Sequence, residues 1–221
     1  NWYIHQDRHH LVWLSSIAGL NRFDGEEVKH YRPNREAQHA LRSVYASQSS
    51  FFEDQMGRLW FTEDEALISY DYENDHFNRF YAQIPEGDTI VSGYGWAHLE
   101  PTTQQLWFQV EQYLFSCDTR GTATEVKYRG EAPSQERLAL YHHTGGHYRL
   151  FAAADQELLI RQYNQALEQT KEWLLPINGF KIHQILPVSD NLAWVATDDG
   201  LYELNVPDQE FIKHQDQWKN T

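Results

Sequence analysis

Apolar and polar residues alternate along this chain in short segments that are separated by turn-forming residues. In the second unit the candidate strands are "LWFT", "ALISYD" and "HFNRFY", and the turns "DQMGR" and "YENDH" precede the first and the last of them. Such alternation between turns is typical of antiparallel hairpins. With a further strand within residues 44–53, this unit is predicted to contain four strands.

The same arrangement occurs five times. An aromatic anchor returns at intervals of 47, 47, 44 and 43 residues, and a leucine stands seven positions after each anchor. A repeat of this length with four strands is typical of one blade of a β-propeller. We expect the large anchor rings to fill the seams between blades. The anchors are Trp13, Trp60, Trp107, Phe151 and Trp194, and the leucines are Leu20, Leu67, Leu114, Leu158 and Leu201.

The predicted fold is therefore all-β: a β-propeller of four-stranded antiparallel blades, with five repeats in one domain or fragment that spans 1–221. The fourth repeat is the least regular, because residues 164–175 also have helical propensity; we interpret them as the end of a third strand, a turn and a fourth strand. Five repeats leave open whether the ring is complete or is an arc of a larger one, for example of seven blades. The repeats are expected at about 1–36, 37–84, 85–131, 132–176 and 177–221.

Composition and charge exclude several classes of protein. The net charge of −14 argues against nucleic acid and against an anionic membrane surface as partners. Cys117 is the only cysteine, so neither an intrachain disulfide nor a cysteine-based zinc site can form. There is no apolar run of membrane-spanning length, and the chain begins with Asn1 rather than Met. We therefore expect a piece of a longer protein whose targeting and membrane segments lie elsewhere.

The repeats resemble the two-component regulator propeller repeat. Its usual text is an acidic residue, a glycine turn, "LWIGT", a spacer, "GL", then an aromatic residue and Asp; this chain has "HLVWLSSIAGLNRFD", "GRLWFTEDEALISYD" and "LAWVATDDGLYELN". The resemblance covers essentially the whole chain and is strongest in the first, second and fifth repeats. Departures include Ala66 in place of the glycine before Leu67, and "SS", "TE", "QV", "AA" and "AT" in place of "GT".

This resemblance implies a function. Propellers of that family are extracytoplasmic sensor portions of membrane-bound bacterial signalling proteins, and a separate histidine kinase, hybrid kinase–regulator or diguanylate cyclase provides the output. A sensor of this kind implies a periplasmic location, a small-molecule ligand such as an oligosaccharide, no cofactor and no catalytic residues in this domain. If the five repeats form an unclosed arc, its two exposed blade faces would also favour a homodimer.

Propellers generally bind ligands on the face that carries the loops between second and third strands. Those loops read "SSIA", "TEDEA", "VEQ", "AADQE" and "TDDG", and are predicted to bring acidic residues together near the axis. Such a ring could bind a cation, a basic ligand or sugar hydroxyls, although exposed turns favour Asp and Glu in any case. The candidate acids are Glu63, Asp64, Glu65, Glu111, Asp155, Asp198 and Asp199.

The links between blades supply further candidates. Tyr94, Trp96 and His98 precede the second strand of the third repeat, where the rings could stack on a sugar or pack against the next blade. The link "RPNREAQHALR" carries three arginines that could bind a carboxylate or form a solvated run of charge. These arginines are Arg32, Arg35 and Arg42.

Metal and enzyme chemistry have weaker sequence support. His142, His143 and His147 in "HHTGGH" could bind zinc or copper, but the motif falls in a turn between first and second strands without an acidic or thiol ligand beside it, so no metal site is predicted. No hydrolase, zinc-protease or phosphate-loop motif occurs. Glu65 with Asp199 would be the only carboxylate pair to consider for a propeller lyase or glycosidase. A protein-binding scaffold is the main alternative to a sensor, since propellers serve as either.

Overall fold

The structure is a computed structural model that describes residues 4–16, 18–43, 51–63, 66–81, 97–110, 112–121, 125–131, 137–143, 145–154, 156–177 and 179–214. Over these ranges the chain forms twenty strands and no helix. Accordingly, the described residues contain no helix of the length and apolarity needed to cross a membrane. The chain divides into two compact units, residues 1–131 and 132–221.

The first unit contains three four-stranded sheets, blade 1 (β1–β4), blade 2 (β5–β8) and blade 3 (β9–β12). Neighbouring strands within each blade are antiparallel and follow one another in chain order. The strands are β1 Ile4–Gln6, β2 Val12–Ser16, β3 Gly19–Phe23, β4 Val28–Tyr31, β5 Phe52–Glu53, β6 Leu59–Glu63, β7 Ala66–Asp71, β8 His76–Tyr81, β9 Ala97–Glu100, β10 Gln105–Val110, β11 Tyr113–Asp118 and β12 Lys127–Glu131.

The second unit contains blade 4 (β13–β16) and blade 5 (β17–β20), which have the same antiparallel order. Together the five sheets confirm the predicted all-β propeller fold of four-stranded blades. The strands are β13 Arg137–His142, β14 Tyr148–Ala153, β15 Glu157–Tyr163, β16 Gln169–Pro176, β17 Ile182–Pro187, β18 Leu192–Thr197, β19 Gly200–Asn205 and β20 Glu210–Lys213.

The irregular fourth repeat is a hairpin and not a helix. β15 ends at Tyr163, and the side chain of Asn164 accepts a 2.9 Å hydrogen bond from the backbone N–H of Glu168. Leu167 has a positive φ of 62°, a conformation that an α-helix does not contain. The local turn geometry of Asn164 and Leu167 therefore overrides the helical propensity of this stretch, as predicted.

Three of the five anchors pack toward the blade that follows them. Trp13 lies in one apolar cluster with Phe61 and Ile68 of blade 2, Trp60 lies with Phe108 of blade 3, and Phe151 lies with Val195 of blade 5. The side chains of Trp13, Trp60 and Phe151 are at most 1% exposed. These three rings therefore lie between neighbouring blades.

The fifth repeat has the anchor tryptophan, Trp194, but its side chain is not fully buried. Ala193 and Val195 of β18 pack against blade 4, and Trp194 lies between them on the opposite face, where it is only half-buried. Leu201 on the same face is 45% exposed, whereas Leu20, Leu67, Leu114 and Leu158 are at most 1% exposed. No blade lies against this face within the described residues, so the seam position of Trp194 stays a prediction.

A buried carboxylate organises the turn between the first and second strands of blade 2. Asp54 is fully buried and accepts hydrogen bonds from the backbone N–H groups of Met56 (2.9 Å) and Arg58 (3.0 Å) and from the indole Nε1 of Trp60 (2.8 Å). Gly57 has a positive φ of 84° in this turn, a conformation that glycine adopts without strain. The acid and glycine of the repeat text therefore form one hydrogen-bonded corner that also orients the anchor.

Three other blades use the same turn: blade 1, blade 4 and blade 5, where the backbone N–H of Val188 donates a 2.9 Å hydrogen bond to the carbonyl of Leu192. Asp7 in blade 1 accepts a 2.7 Å hydrogen bond from Trp13 Nε1. In blade 4 the equivalent turn position is His143. Its backbone N–H donates to the backbone carbonyl of His147, just as the backbone N–H of Asp54 donates to the backbone carbonyl of Arg58. The anchor of blade 4 is Phe151, which has no indole N–H to donate. Six positions after His143, where Trp60 stands relative to Asp54, blade 4 has Arg149.

Candidate functional site

Short loops connect the second and third strands of every blade, as predicted for the ligand face. Of the seven acids proposed to converge there, only Glu63, Asp198 and Asp199 belong to the described residues. The convergence of all seven at an axis therefore stays a prediction. The other four acids, Asp64, Glu65, Glu111 and Asp155, lie outside the described residues.

The buried side chain of Glu63 holds the end of the link that leads from blade 1 into blade 2. This side chain is 1% exposed, and Oε1 accepts hydrogen bonds from the backbone N–H groups of Arg42 (2.6 Å) and Ser43 (2.9 Å). Oε2 forms an ion pair with the guanidinium of Arg79 on β8. Because both carboxylate oxygens are bonded within the protein, Glu63 holds the link against the edge strand of the blade.

Asp198 performs a similar task in blade 5. Its Oδ1 accepts a 2.6 Å hydrogen bond from the backbone N–H of Lys181, in the link that leads into β17. The neighbouring Asp199 accepts a 2.6 Å hydrogen bond from the hydroxyl of Tyr202 and forms an ion pair of 2.7 Å with Lys213. Lys213 and Tyr202 lower the pKa of Asp199, which therefore stays charged. Both acids are exposed, and both are already bonded within the blade.

The aromatic candidates of the third repeat fall mostly outside the described residues. Tyr94 and Trp96 lie in the range 82–96, which the structure does not describe. His98 lies on β9, half-buried and directly opposite Trp107 of β10. Burial lowers the pKa of His98, although the nearby Glu100 acts in the opposite direction. Its imidazole is consequently a neutral group at physiological pH.

The histidines of "HHTGGH" lie at the β13–β14 turn, as predicted. His143 is 7% exposed, and its Nδ1 lies 2.7 Å from the carboxylate of Asp190 in blade 5. Burial and then the charge of Arg149 lower the pKa of His143. Within the ranges that the structure describes, no three His, Cys, Asp or Glu side chains are arranged to bind a metal ion.

A groove of about 1090 Å³ runs along the edge of blade 2 in the first unit. The link before the blade contributes His39 and Arg42, the edge strand β8 contributes Arg79 and Tyr81, and the β5–β6 turn contributes Arg58. The link is fixed there because the N–H of Phe77 donates a 3.0 Å hydrogen bond to the carbonyl of His39. The remaining lining residues are His9, Gln38, Met56, Gly57, Ser69, Tyr70, Asp71, Tyr72, Glu73, Asn78 and Phe80.

The sequence indicated only part of this groove. Arg42 was a candidate because it stands in an arginine-rich link, whereas Arg32 and Arg35 are exposed and do not line the groove. Arg79 lies between Asn78 and Phe80 in β8 and carries no sequence signal for a site. Only the pairing of β8 with the link before the blade brings Arg42 and Arg79 to one cavity.

A network of polar and aromatic groups behind the groove ties blade 1 to blade 2. Asp75, in the β7–β8 turn, accepts hydrogen bonds from the hydroxyls of Tyr31 (2.5 Å) and Tyr70, and pairs with Arg22 (3.2 Å) and Lys29. These partners outweigh burial and hold the pKa of Asp75 at about 2. Burial and the Asp75 hydrogen bond raise the pKa of Tyr70 to about 12.

Comparisons with known proteins show the fold and no family. No family model matches the sequence, and no curated protein matches it either. A solved structure of catalytically inactive H270A virginiamycin B lyase from Staphylococcus aureus, with quinupristin, is similar with a TM-score of 0.61 at 14% identity, over 98% of this chain and 70% of that one. The Pan2 WD40 domain of Neurospora crassa is similar with a TM-score of 0.51 at 13% identity, over 95% and 64% of the two chains.

An extracellular domain of a putative one-component system from B. thetaiotaomicron also matches. Its TM-score is 0.49 at 16% identity, and the match covers 97% of this chain. This chain spans about a third of that domain, 36% of its length. The two similarities with TM-scores above 0.5 establish the propeller fold alone.

Proposed function

We propose that this chain is the ligand-binding propeller of a bacterial signalling protein, located outside the cytoplasm, which passes its signal to a separate kinase or cyclase module. The signalling role is supported by the repeat text, which resembles one sensor family over essentially the whole chain. The structure adds that the acid, the glycine turn and the tryptophan of that text act together in blade 2 as one buried corner.

The observation that carries the ligand-binding role is the groove beside blade 2. Its walls combine aromatic side chains with groups that donate and accept hydrogen bonds, and they belong to paired strands and a clamped link. A concave site on a rigid framework with a few convergent polar groups is the usual form of a small-molecule site. Tyr72 and Tyr81 could stack on sugar rings while Ser69 and Asn78 bond to hydroxyls, which fits an oligosaccharide.

Two measurements test this proposal. The complete reading frame is expected to encode a membrane segment and a kinase or cyclase module beyond this propeller. Independently, a panel of oligosaccharides is expected to include at least one that raises the thermal unfolding midpoint of the chain without being consumed. Turnover of such a sugar, or of a lactone, would contradict the sensor role and favour the propeller lyase or glycosidase alternative.

The second candidate function is a protein-binding scaffold, and the outer face of blade 5 favours it. Leu186, Leu201 and Ile212 on this face are 59%, 45% and 44% exposed, and the half-buried Trp194 lies on it. Exposed apolar residues grouped on one face are typical of interaction surfaces. Light scattering over a concentration series tests for a homodimer. Co-purification of a soluble partner, with no small molecule that shifts the melting curve, would favour the scaffold.

A further inference from the structure

Two guanidinium groups at one end of the groove have donors that the protein leaves unused. The side chain of Arg79 is 7% exposed; one of its terminal nitrogens, Nη2, pairs with Glu63, while the other, Nη1, is buried and has no hydrogen-bond partner within the described residues. Nε of Arg42 is also buried and without a partner in that part of the chain. Both arginines line the groove.

Unused buried donors are uncommon in folded proteins, and charged ones especially so. A guanidinium N–H that has lost water and gained no acceptor is unfavourable, and most such groups are completed by an ordered water or by a ligand. Here two of them belong to side chains that line the same cavity. Because both side chains line the groove, an acceptor that enters it and displaces the side chains covering these two donors would complete both arginines.

The charges around the groove define how much negative charge that acceptor should carry. At the end of the groove that holds Arg42, the carboxylate of Glu63 balances Arg79. At the other end Asp54 balances Arg58 with an Nε–Oδ2 distance of 2.7 Å, and Asp71 and Glu73 also line the groove there. Arg42 has no carboxylate partner among the described residues. This end of the groove consequently has one positive charge to spare, in a protein whose net charge is −14. One spare charge matches a singly charged group better than a doubly charged phosphate.

The surroundings of Arg42 favour a ring next to that group. The guanidinium carbon of Arg42 lies 6.0 Å from the centroid of the Tyr81 ring, within the range of a cation–π contact that orients the fork. Tyr81 is 44% exposed and lines the groove on the same face of β8 as Arg79. An incoming ring can therefore lie against an aromatic surface while its charged group meets the guanidinium donors.

We propose that the Arg42–Arg79 end of the groove binds a singly charged oxyanion, a carboxylate or a sulfate monoester, carried on a ring-shaped body. Planar guanidinium groups bind the paired oxygens of such anions with two parallel hydrogen bonds, which a lysine cannot reproduce. The inference rests on the ligand-binding role proposed above and adds the chemistry of the group that the site recognises.

Simple probes test the anion site directly on the purified chain. Benzoate represents the carboxylate, phenyl sulfate represents the sulfate monoester, and benzamide is the neutral control of the same shape. We expect at least one of the two anions to bind with a dissociation constant at least tenfold below that of benzamide, measured by NMR titration at constant ionic strength. Equal binding of benzamide, or tighter binding of inorganic phosphate than of both ring-bearing anions, would overturn the proposal.

Variants locate the binding. Arg42→Gln should weaken the anion at least tenfold, and Arg42→Lys, which keeps the charge but not the planar fork, should recover only part of that loss. Arg79→Gln alone would leave the Glu63 carboxylate unpaired in the interior and could unfold the chain. The double variant Glu63→Gln/Arg79→Gln avoids this unpaired charge, and it should also lose anion binding. Arg120→Gln, an exposed arginine outside the groove, should bind as the unmodified chain does. Unchanged affinity in both groove variants would contradict the site.

The two proposals fail in distinguishable ways. If neither anion binds while a neutral oligosaccharide raises the unfolding midpoint, the anion site is wrong and the sensor proposal stands. If the anions bind through Arg42 and Arg79 while the reading frame encodes no output module, the site stands and the signalling role is wrong.

Discussion

The indole Nε1 of Trp60 donates a 2.8 Å hydrogen bond to the carboxylate of Asp54, six residues earlier and across a hairpin turn. Both side chains are fully buried. The same bond joins Trp13 to Asp7 in blade 1 at 2.7 Å. The acidic residue and the tryptophan of these two repeats therefore form a buried corner. In it, one carboxylate both closes the turn and orients the ring that lies between the blades.

Replacement of this carboxylate should destabilise the first unit strongly. Asp54→Ala removes the acceptor of Trp60, of two backbone N–H groups and of Arg58 at once. Loss of one partner from a buried charged network typically costs about 3–5 kcal/mol in the free energy of unfolding. Denaturant unfolding measures this change. The matched control is Asp118→Ala: its carboxylate is 42% exposed, and its loss should cost under about 1 kcal/mol. Similar losses in the two variants would contradict the buried-corner role.

The repeat leucines should differ in energetic importance even though they occupy the same sequence position. Leu67 is fully buried, so Leu67→Ala is expected to lower the free energy of unfolding by about 2–5 kcal/mol. Leu201 is 45% exposed, and Leu201→Ala should cost less than about 1 kcal/mol. The difference is measured by denaturant unfolding at low protein concentration. A large loss for Leu201→Ala would show that another surface covers the outer face of blade 5 in solution.

The Asp75 network should make stability depend on pH under acidic conditions. The pKa of Asp75 is about 2 in the folded chain, whereas the ordinary value for an aspartate is 3.8. The folded state therefore favours the charged form. Its contribution is complete above about pH 4 and is lost as the pH falls toward 2. Asp75→Asn should therefore lower the free energy of unfolding at pH 6, as measured by denaturant unfolding. The difference in this free energy between the variant and the unmodified chain should become smaller as the pH approaches 2. A difference that does not change with pH would contradict the assignment.

Cys117 should be unreactive until the protein unfolds. It is 2% exposed on β11, and burial raises its pKa to about 12, so that almost no thiolate exists near pH 8. Since the thiolate is the reactive form, iodoacetamide should leave the native chain unmodified and alkylate it once in 6 M guanidinium chloride, as followed by intact mass. Rapid alkylation under native conditions would indicate that blade 3 opens.

Local signals made the strands predictable. Hairpins depend on turn residues and on alternation over a few positions, so the order of four strands in each repeat follows from segments such as "LWFT" and "ALISYD". Even the irregular stretch after Tyr163 conforms, because Asn164 and Leu167 form the turn among their own neighbours. The seam positions of Trp13, Trp60 and Phe151 were predictable for the same reason: a spacing that repeats places equivalent residues on equivalent faces.

The candidate site was much less predictable. Glu63 stands in an acidic loop and has the appearance of a ligand-binding acid, yet Arg79 and the backbone of the preceding link use both of its oxygens. Arg79 in turn has the appearance of an ordinary strand residue. Which polar groups are satisfied depends on partners 16 to 21 residues away on other elements, and no local pattern records those distances.

The sequence by itself determined the number of strands, their order and the residues that can face a seam, because backbone alternation and turn conformation are local properties. Only the tertiary structure decided that Trp60 is enclosed while Trp194 is half-exposed, and that Arg42 and Arg79 meet in one groove with donors to spare. Burial and charge pairing depend on which elements pack together, so residues with the same repeat position acquire different roles.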